Sequence, residues 1–197
     1  MEIFNNRIKR TTINISIIIF ISLLMFIFQP HSDYLFAYDY REIQQGEWWR
    51  IISNSFCHTN LPHFLMNCLG LITITILFIK TFKQSSIWPL FIFSSIFISF
   101  CIYFIEAENM RYVGLSGVLH GFFAYGVCRD CLRKDRWGYI LGGALIMKLV
   151  SEQYIGSSLA TIELINAPVL VNAHFYGAIA GLLFFILKDA RKIEISA

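Results

Sequence analysis

A serine and a histidine in apolar surroundings are the residues of this chain best suited to covalent chemistry. Ser116 stands in Gly114-Leu115-Ser116-Gly117, and His174 in Ala173-His174-Phe175-Tyr176-Gly177. A serine hydroxyl is a weak nucleophile until a neighbouring base takes its proton, and imidazole is the commonest such base. His63 and Asn67 add two side chains able to donate hydrogen bonds to a developing oxyanion, and their i, i+4 spacing puts both on one helical face. Each residue also has a plainer reading. A serine in a membrane helix is usually a packing residue, and a histidine near an interface usually pairs locally.

What brings the four together is the arrangement of apolar segments. The chain has 197 residues, 56% of them hydrophobic and only 15% charged, with a mean hydropathy of +0.60. An ordinary soluble domain carries about 25% charge. Six spans of about 20 residues fit this length and leave no room for a second soluble domain. The expectation is an all-α membrane protein of one domain, residues 1–197. Its spans run over roughly 13–28, 61–79, 87–105, 115–131, 137–153 and 169–187. Arg7, Lys9 and Arg10 precede the first span, as in a signal peptide, but no A-x-A site follows, so it reads as a retained helix.

Lysine and arginine set the orientation. With the N-terminus in the cytoplasm, the inner segments hold Arg7, Lys9, Arg10, Lys80, Lys83, Arg129, Arg133, Lys134, Arg136, Lys188, Arg191 and Lys192, 12 of the 16. The outer segments hold Arg41, Arg50 and Arg111, and Lys148 lies within span five. Both termini are thus expected in the cytoplasm. Spans two, four and six then start at the outer face, which sets His63, Asn67, Ser116 and His174 at one depth. The long outer segment 29–60 carries Trp48 and Trp49, suited to the headgroup region.

Glycines supply the means of approach. Gly117 and Gly121 form one G-x-x-x-G, and Gly177 and Gly181 another, on the face that carries His174. Packing spans four and six through these faces brings His174 to Ser116. Ser116 also opens its helix, where unpaired backbone N–H groups and the positive dipole end stabilise an oxyanion. Gly114 allows an unusual turn into that helix. No aspartate or glutamate is evident beside His174, so the expectation is a dyad without an acidic partner.

These residues resemble the rhomboid intramembrane serine proteases, over about Gly46 to Leu187. Glu47-Trp-Trp-Arg50 resembles that family's Trp-Arg element, and His58 with His63-Phe-Leu-Met-Asn67 its H-x-x-x-N helix. Gly114-Leu-Ser-Gly117 resembles its nucleophile motif, and Ala173-His174 with Gly177 and Gly181 its base helix. Tyr112-Val-Gly-Leu-Ser-Gly-Val-Leu-His-Gly121, Lys148-Leu-Val-Ser-Glu-Gln153 and Val171-Asn-Ala-His-Phe-Tyr176 look most like the rhombosortase subgroup. The resemblance implies a six-helix bundle with Ser116 as nucleophile and His174 as general base. The Ser116 N–H, His63 and Asn67 would form the oxyanion hole. It implies a bacterial inner-membrane protein with its site facing the periplasm. It implies substrates whose C-terminal tail has a Gly-Gly motif, a hydrophobic span and a basic end. No cofactor, metal or nucleic acid is implied, and membrane lipid is the surrounding partner. Oligomeric state is open, as is transfer of the acyl group to water or to an amine.

Other residues keep alternatives. His120, one turn after Ser116, stands where many rhomboids have a tyrosine packing on the base. It can pack there, compete as base, or bond elsewhere. Lys148 and Glu152 are i, i+4 in span five, and read as a local ion pair or as substrate recognition. His58 reads as a hydrogen bond that fixes the outer loop. Cys57 beside it lacks oxyanion donors, and Cys128-x-x-Cys131 has no second ligand pair. Two other functions compete. An inactive rhomboid-like binder of membrane helices would lose the intact Ser–His pair. A transporter or channel would need polar residues through the full membrane thickness.

Overall fold

The computed structural model describes residues 2–83 and 87–190. Arg191 and Lys192, counted above for orientation, lie outside the described residues. The described residues form eleven α-helices: α1 (Glu2–Ile27), α2 (His31–Phe36), α3 (Tyr40–Gln44), α4 (Arg50–Ser53), α5 (Leu61–Leu77), α6 (Ile79–Phe82), α7 (Ile87–Ile105), α8 (Ser116–Leu132), α9 (Arg136–Ile155), α10 (Leu159–Ile165) and α11 (Val171–Phe185). A 3₁₀ turn, Asn54–Phe56, follows α4, and a π-helical turn, Ile186–Ala190, extends α11.

Six of these helices overlap the expected spans in sequence, α1, α5, α7, α8, α9 and α11, with α1 starting well before residue 13. Asn6–Ile27, Ile87–Ile105 and Val171–Asp189 are each long and apolar enough to cross a membrane. Arg50–Phe56 and Leu61–Leu77 pass the same test only as a pair, bent by 94°. The chain is therefore mostly helical with several apolar candidate spans. α8 has only 17 residues, and α9 is diluted by Lys148, Glu152 and small residues.

Segment 29–60 is built structure rather than a free loop. Its two-residue strand β1 (Tyr38–Asp39) pairs antiparallel with β2 (Arg111–Tyr112), setting Tyr38 opposite Tyr112. Arg50 is buried, and its guanidinium donates to Glu47 Oε2 and to the carbonyls of Ala37 and Tyr34. Three partners for a buried cation offset the cost of its desolvation. The Gly114 N–H donates to the Asn54 carbonyl at 3.1 Å, tying the turn before Ser116 to this scaffold.

The core lies between α7, α8 and α11, around Phe91, Ile98, Phe122, Tyr125 and Ala173. α8 and α11 make the most extensive contact in the fold. A Cβ on Gly177 would fall 1.9 Å from the Gly117 carbonyl oxygen, and one on Gly181 2.1 Å from that of Gly121. Only glycine permits this backbone-to-backbone approach. At the other end Asp189 accepts from Tyr125 Oη and Arg129 Nη1, which clasps the π-helical turn to α8.

Candidate active site

The glycine contact between α8 and α11 sets the distance between two side chains one turn away. Ser116 is the first residue of α8, so its N–H has no partner within the helix. His174 lies in the first turn of α11. His174 Nε2 is 3.1 Å from Ser116 Oγ, within hydrogen-bond reach. The two residues flanking His174 by two positions, Asn172 and Tyr176, both donate to Glu106 Oε1 at 2.8 Å. That clamp holds the start of α11 against the end of α7.

His174 Nδ1 faces Glu152 Oε2 on α9 at 3.0 Å. This corrects the expectation that no acidic residue stands beside the histidine. The rotation of α9 about its axis decides the matter, and that rotation is set by packing on α8. The other Glu152 oxygen accepts from Lys148 Nζ at 2.5 Å. The local ion pair is thus present, and it is one half of a longer chain of contacts.

His120 stacks on His174 with ring centroids 4.2 Å apart and planes 15° from parallel. Its Nδ1 donates to the Ser116 carbonyl at 2.8 Å. His120, Glu152 and His174 offer ligand-type atoms within 4.8 Å of one another. Stacked rings direct their in-plane lone pairs side by side rather than at one point, and both His174 nitrogens already have partners. The cluster has the geometry of a packed ring pair, not of a tetrahedral metal centre.

On the opposite wall, α5 presents His63 and Asn67. The Asn60 side chain caps α5, accepting from the His63 N–H at 2.9 Å, and starts the helix so that both residues face inward. The Thr59 N–H donates to His63 Nδ1 at 3.3 Å, which assigns the ring proton to Nε2. Asn67 Nδ2 is buried with no hydrogen-bond partner among the described residues. Both donors point at Gly114. A Cβ there would lie 2.9 Å from His63 Nε2 and 3.8 Å from Asn67 Nδ2, and the residue's φ of +125° already favours glycine. A buried donor without an acceptor is rare and points to a ligand atom.

Ser116, His174, His63, Asn67, His120, Lys148 and Glu152 all line one cavity of about 1080 Å³ between α5, α8, α9 and the 156–170 connection. That volume accommodates an extended peptide segment. His58 is not brought to it. It is buried behind His63, edge-on at 5.1 Å, with Nδ1 donating to the Phe56 carbonyl and its own carbonyl accepting from Gln29 Nε2. Burial pushes the His58 imidazole down to about 3. Cys57 is fully buried, and burial pushes its thiol up to about 12, which makes it inert as a nucleophile. Two contributors had no sequence signal: the Thr59 N–H, a backbone group, and Glu106, which is far from His174 in sequence.

Comparison with known proteins assigns the chain's family. The model of the Rhomboid domain matches residues 45–189. Rhomboid protease GlpG of Haemophilus influenzae is 26% identical over 166 residues, covering 84% of this chain and 83% of that protein. Putative rhomboid protease YdcA of Bacillus subtilis is 22% identical over 150 residues, covering 76% and 72%. The match takes in the α5, α8 and α11 positions just described, and the chain belongs to the rhomboid domain family.

Proposed function

We propose that this protein is an intramembrane serine endopeptidase that uses Ser116 as nucleophile and His174 as general base. The observation that carries the reading is the 3.1 Å contact between Ser116 Oγ and His174 Nε2, opposite His63 Nε2 and the buried Asn67 Nδ2, which has no hydrogen-bond partner among the described residues. In the first step Ser116 Oγ bonds to the scissile carbonyl carbon, and its proton passes to His174 Nε2. The carbonyl oxygen takes the negative charge and moves toward the Ser116 N–H, His63 Nε2–H and Asn67 Nδ2, which donate to it. Collapse expels the amine, which leaves with the proton from Nε2. Water then hydrolyses the acyl-enzyme by the same route in reverse, or an amine takes the acyl group.

The fold reading goes with it. The chain is a single domain, residues 1–197, whose six helices α1, α5, α7, α8, α9 and α11 each cross the membrane. The 12-to-3 asymmetry of lysine and arginine supports cytoplasmic termini and a site facing the periplasm of a bacterial inner membrane. A transmembrane substrate must unwind locally to reach Ser116, because its helix satisfies its own backbone bonds. Glycines near the cleavage point lower that cost by about 1 kcal/mol each. A C-terminal tail with Gly-Gly, a hydrophobic span and a basic end meets this requirement. Removal of such sorting tails, the rhombosortase activity, is the substrate reading supported by the resemblance of segments 112–121, 148–153 and 171–176.

The test is fluorophosphonate labelling in native-like membranes, followed by cleavage of a tail-bearing reporter. Labelling of the wild type that is lost in Ser116→Ala and His174→Ala, and retained in part in His120→Ala, is the expected result. A folded wild type that neither labels nor cleaves transfers the reading to a helix binder without chemistry.

A further inference from the structure

The reaction just described gives no part to the carboxylate that faces His174. Glu152 on α9 has a side chain only 12% exposed, and each oxygen has one partner: Oε2 meets His174 Nδ1 at 3.0 Å, and Oε1 accepts from Lys148 Nζ at 2.5 Å. Resting on the protease reading, we propose that Glu152 is a positioning residue that completes a Ser116–His174–Glu152 triad, with Lys148 holding the carboxylate in register.

The tautomer is the first support. An ionised carboxylate only accepts, so a hydrogen bond to Oε2 requires the proton on His174 Nδ1. The lone pair of Nε2 then faces Ser116 Oγ at 3.1 Å, as a base needs. The opposite tautomer directs a proton at the hydroxyl and cannot take one. The stacked His120 ring covers one face of His174 but cannot choose between tautomers, since it presents no in-plane partner to either nitrogen.

Charge is the second. When Ser116 Oγ bonds to the carbonyl carbon, its proton moves to Nε2 and His174 becomes imidazolium. Nδ1 keeps its own proton, and Glu152 stays ionised 3.0 Å away. When the amine leaves it takes the Nε2 proton, and Glu152 has neither gained nor lost one. A fixed carboxylate in a partly desolvated wall stabilises that transient cation without reorganising.

Lys148 is the third. It precedes Glu152 by one turn, the weaker order for supporting a helix. Its side chain is half-exposed while Glu152 is turned inward. The pair thus serves better to aim the carboxylate at His174 than to stabilise α9.

The test compares fluorophosphonate labelling rates in liposomes for the wild type, Ser116→Ala, Glu152→Gln, Glu152→Asp and the double variant Lys148→Met/Glu152→Gln. Rates are normalised to the folded fraction from thermal melts. Glutamine keeps the size of Glu152 but sets an amide where only an acceptor serves. Its expected rate is lower by about 100-fold or more. Aspartate, which keeps the charge, is expected to fall between the two. The double variant is expected to stay as slow as Glu152→Gln. Labelling of Glu152→Gln at the wild-type rate overturns the proposal. So does recovery in the double variant, which would make Glu152 the counter-ion of Lys148 and nothing more. If Glu152→Gln does not fold, a folded Glu152→Asp at the wild-type rate overturns it equally. A folded wild type that does not label, with Ser116→Ala no different, overturns the protease reading and this inference with it.

Discussion

Gly177 on α11 lies against Gly117 on α8 so closely that a methyl group on the first would overlap the carbonyl oxygen of the second. The two residues are the spacer that sets the gap between Ser116 and His174. A side chain on either would move the gap, not only the packing.

Gly177→Ala is therefore expected to cost about 1–3 kcal/mol or more by overpacking. It is also expected to slow fluorophosphonate labelling by about 100-fold, the scale of a displacement of about 1 Å at a reacting pair. Gly143→Ala is the control. Among the described residues nothing lies within 4 Å of a Cβ there, so labelling is expected to stay at the wild-type rate and the thermal midpoint to hold or rise. Equal effects of the two variants would remove the spacer role.

Asn67→Ala separates a functional donor from a structural one by sign. Its Nδ2 has no partner among the described residues, so its removal leaves none of them unpaired and is expected to leave the thermal midpoint unchanged or higher. If that donor serves an oxyanion, kcat falls by about 100- to 1000-fold with KM little changed. Steady-state cleavage of a reporter and a thermal melt on the same preparation check both halves.

At His120 the relevant property is the flat face. His120→Phe preserves a ring against His174 and is expected to retain most labelling. His120→Ala opens a void beside the base and is expected to slow it by about tenfold. The reverse order, with alanine faster than phenylalanine, would show that the His120 nitrogens matter instead of its face.

His58 makes stability depend on pH. Its folded value is about 3 against an ordinary 6.5, so the unfolded chain binds the proton more readily. The stabilising effect is fully present above the unfolded value and is lost as pH falls from 6.5 toward 3. The thermal midpoint is expected to drop between pH 7.5 and pH 5, and to drop less in His58→Gln. An equal drop in both would assign the pH dependence to other groups.

The helices and the approach of α8 to α11 were legible because they rest on local rules. Apolar runs have a length, and paired glycines have a period of four. Gly114 was legible for the same reason, since a turn with positive φ into the helix that starts at Ser116 has few residue choices. Glu152 was legible only as half of a local pair. Its contact with His174 depends on how α9 is rotated, and α9 carries little amphipathic pattern to fix that rotation in advance. The β1–β2 pairing and the 94° bend between Arg50–Phe56 and α5 were hidden too, because strands of two residues and a break at residues 57–60 leave almost no pattern. The Thr59 N–H that settles the His63 tautomer belongs to the backbone and has no letter of its own.

Glu152 rides on a different helix from Ser116 and His174. α8 and α11 are fastened along their length by two glycine contacts and the Asp189 clasp. α9 is held chiefly by α8, touches α11 far less, and among the described residues shares almost no contact with α5 across the cavity. Any swing of α9 that widens the mouth carries Glu152 away from His174 and leaves Ser116 and His174 in place. Under the proposed triad, admission and ignition are thereby opposed: a gap opened at α9 is also the safety catch, and the serine is armed only when the wall has come back.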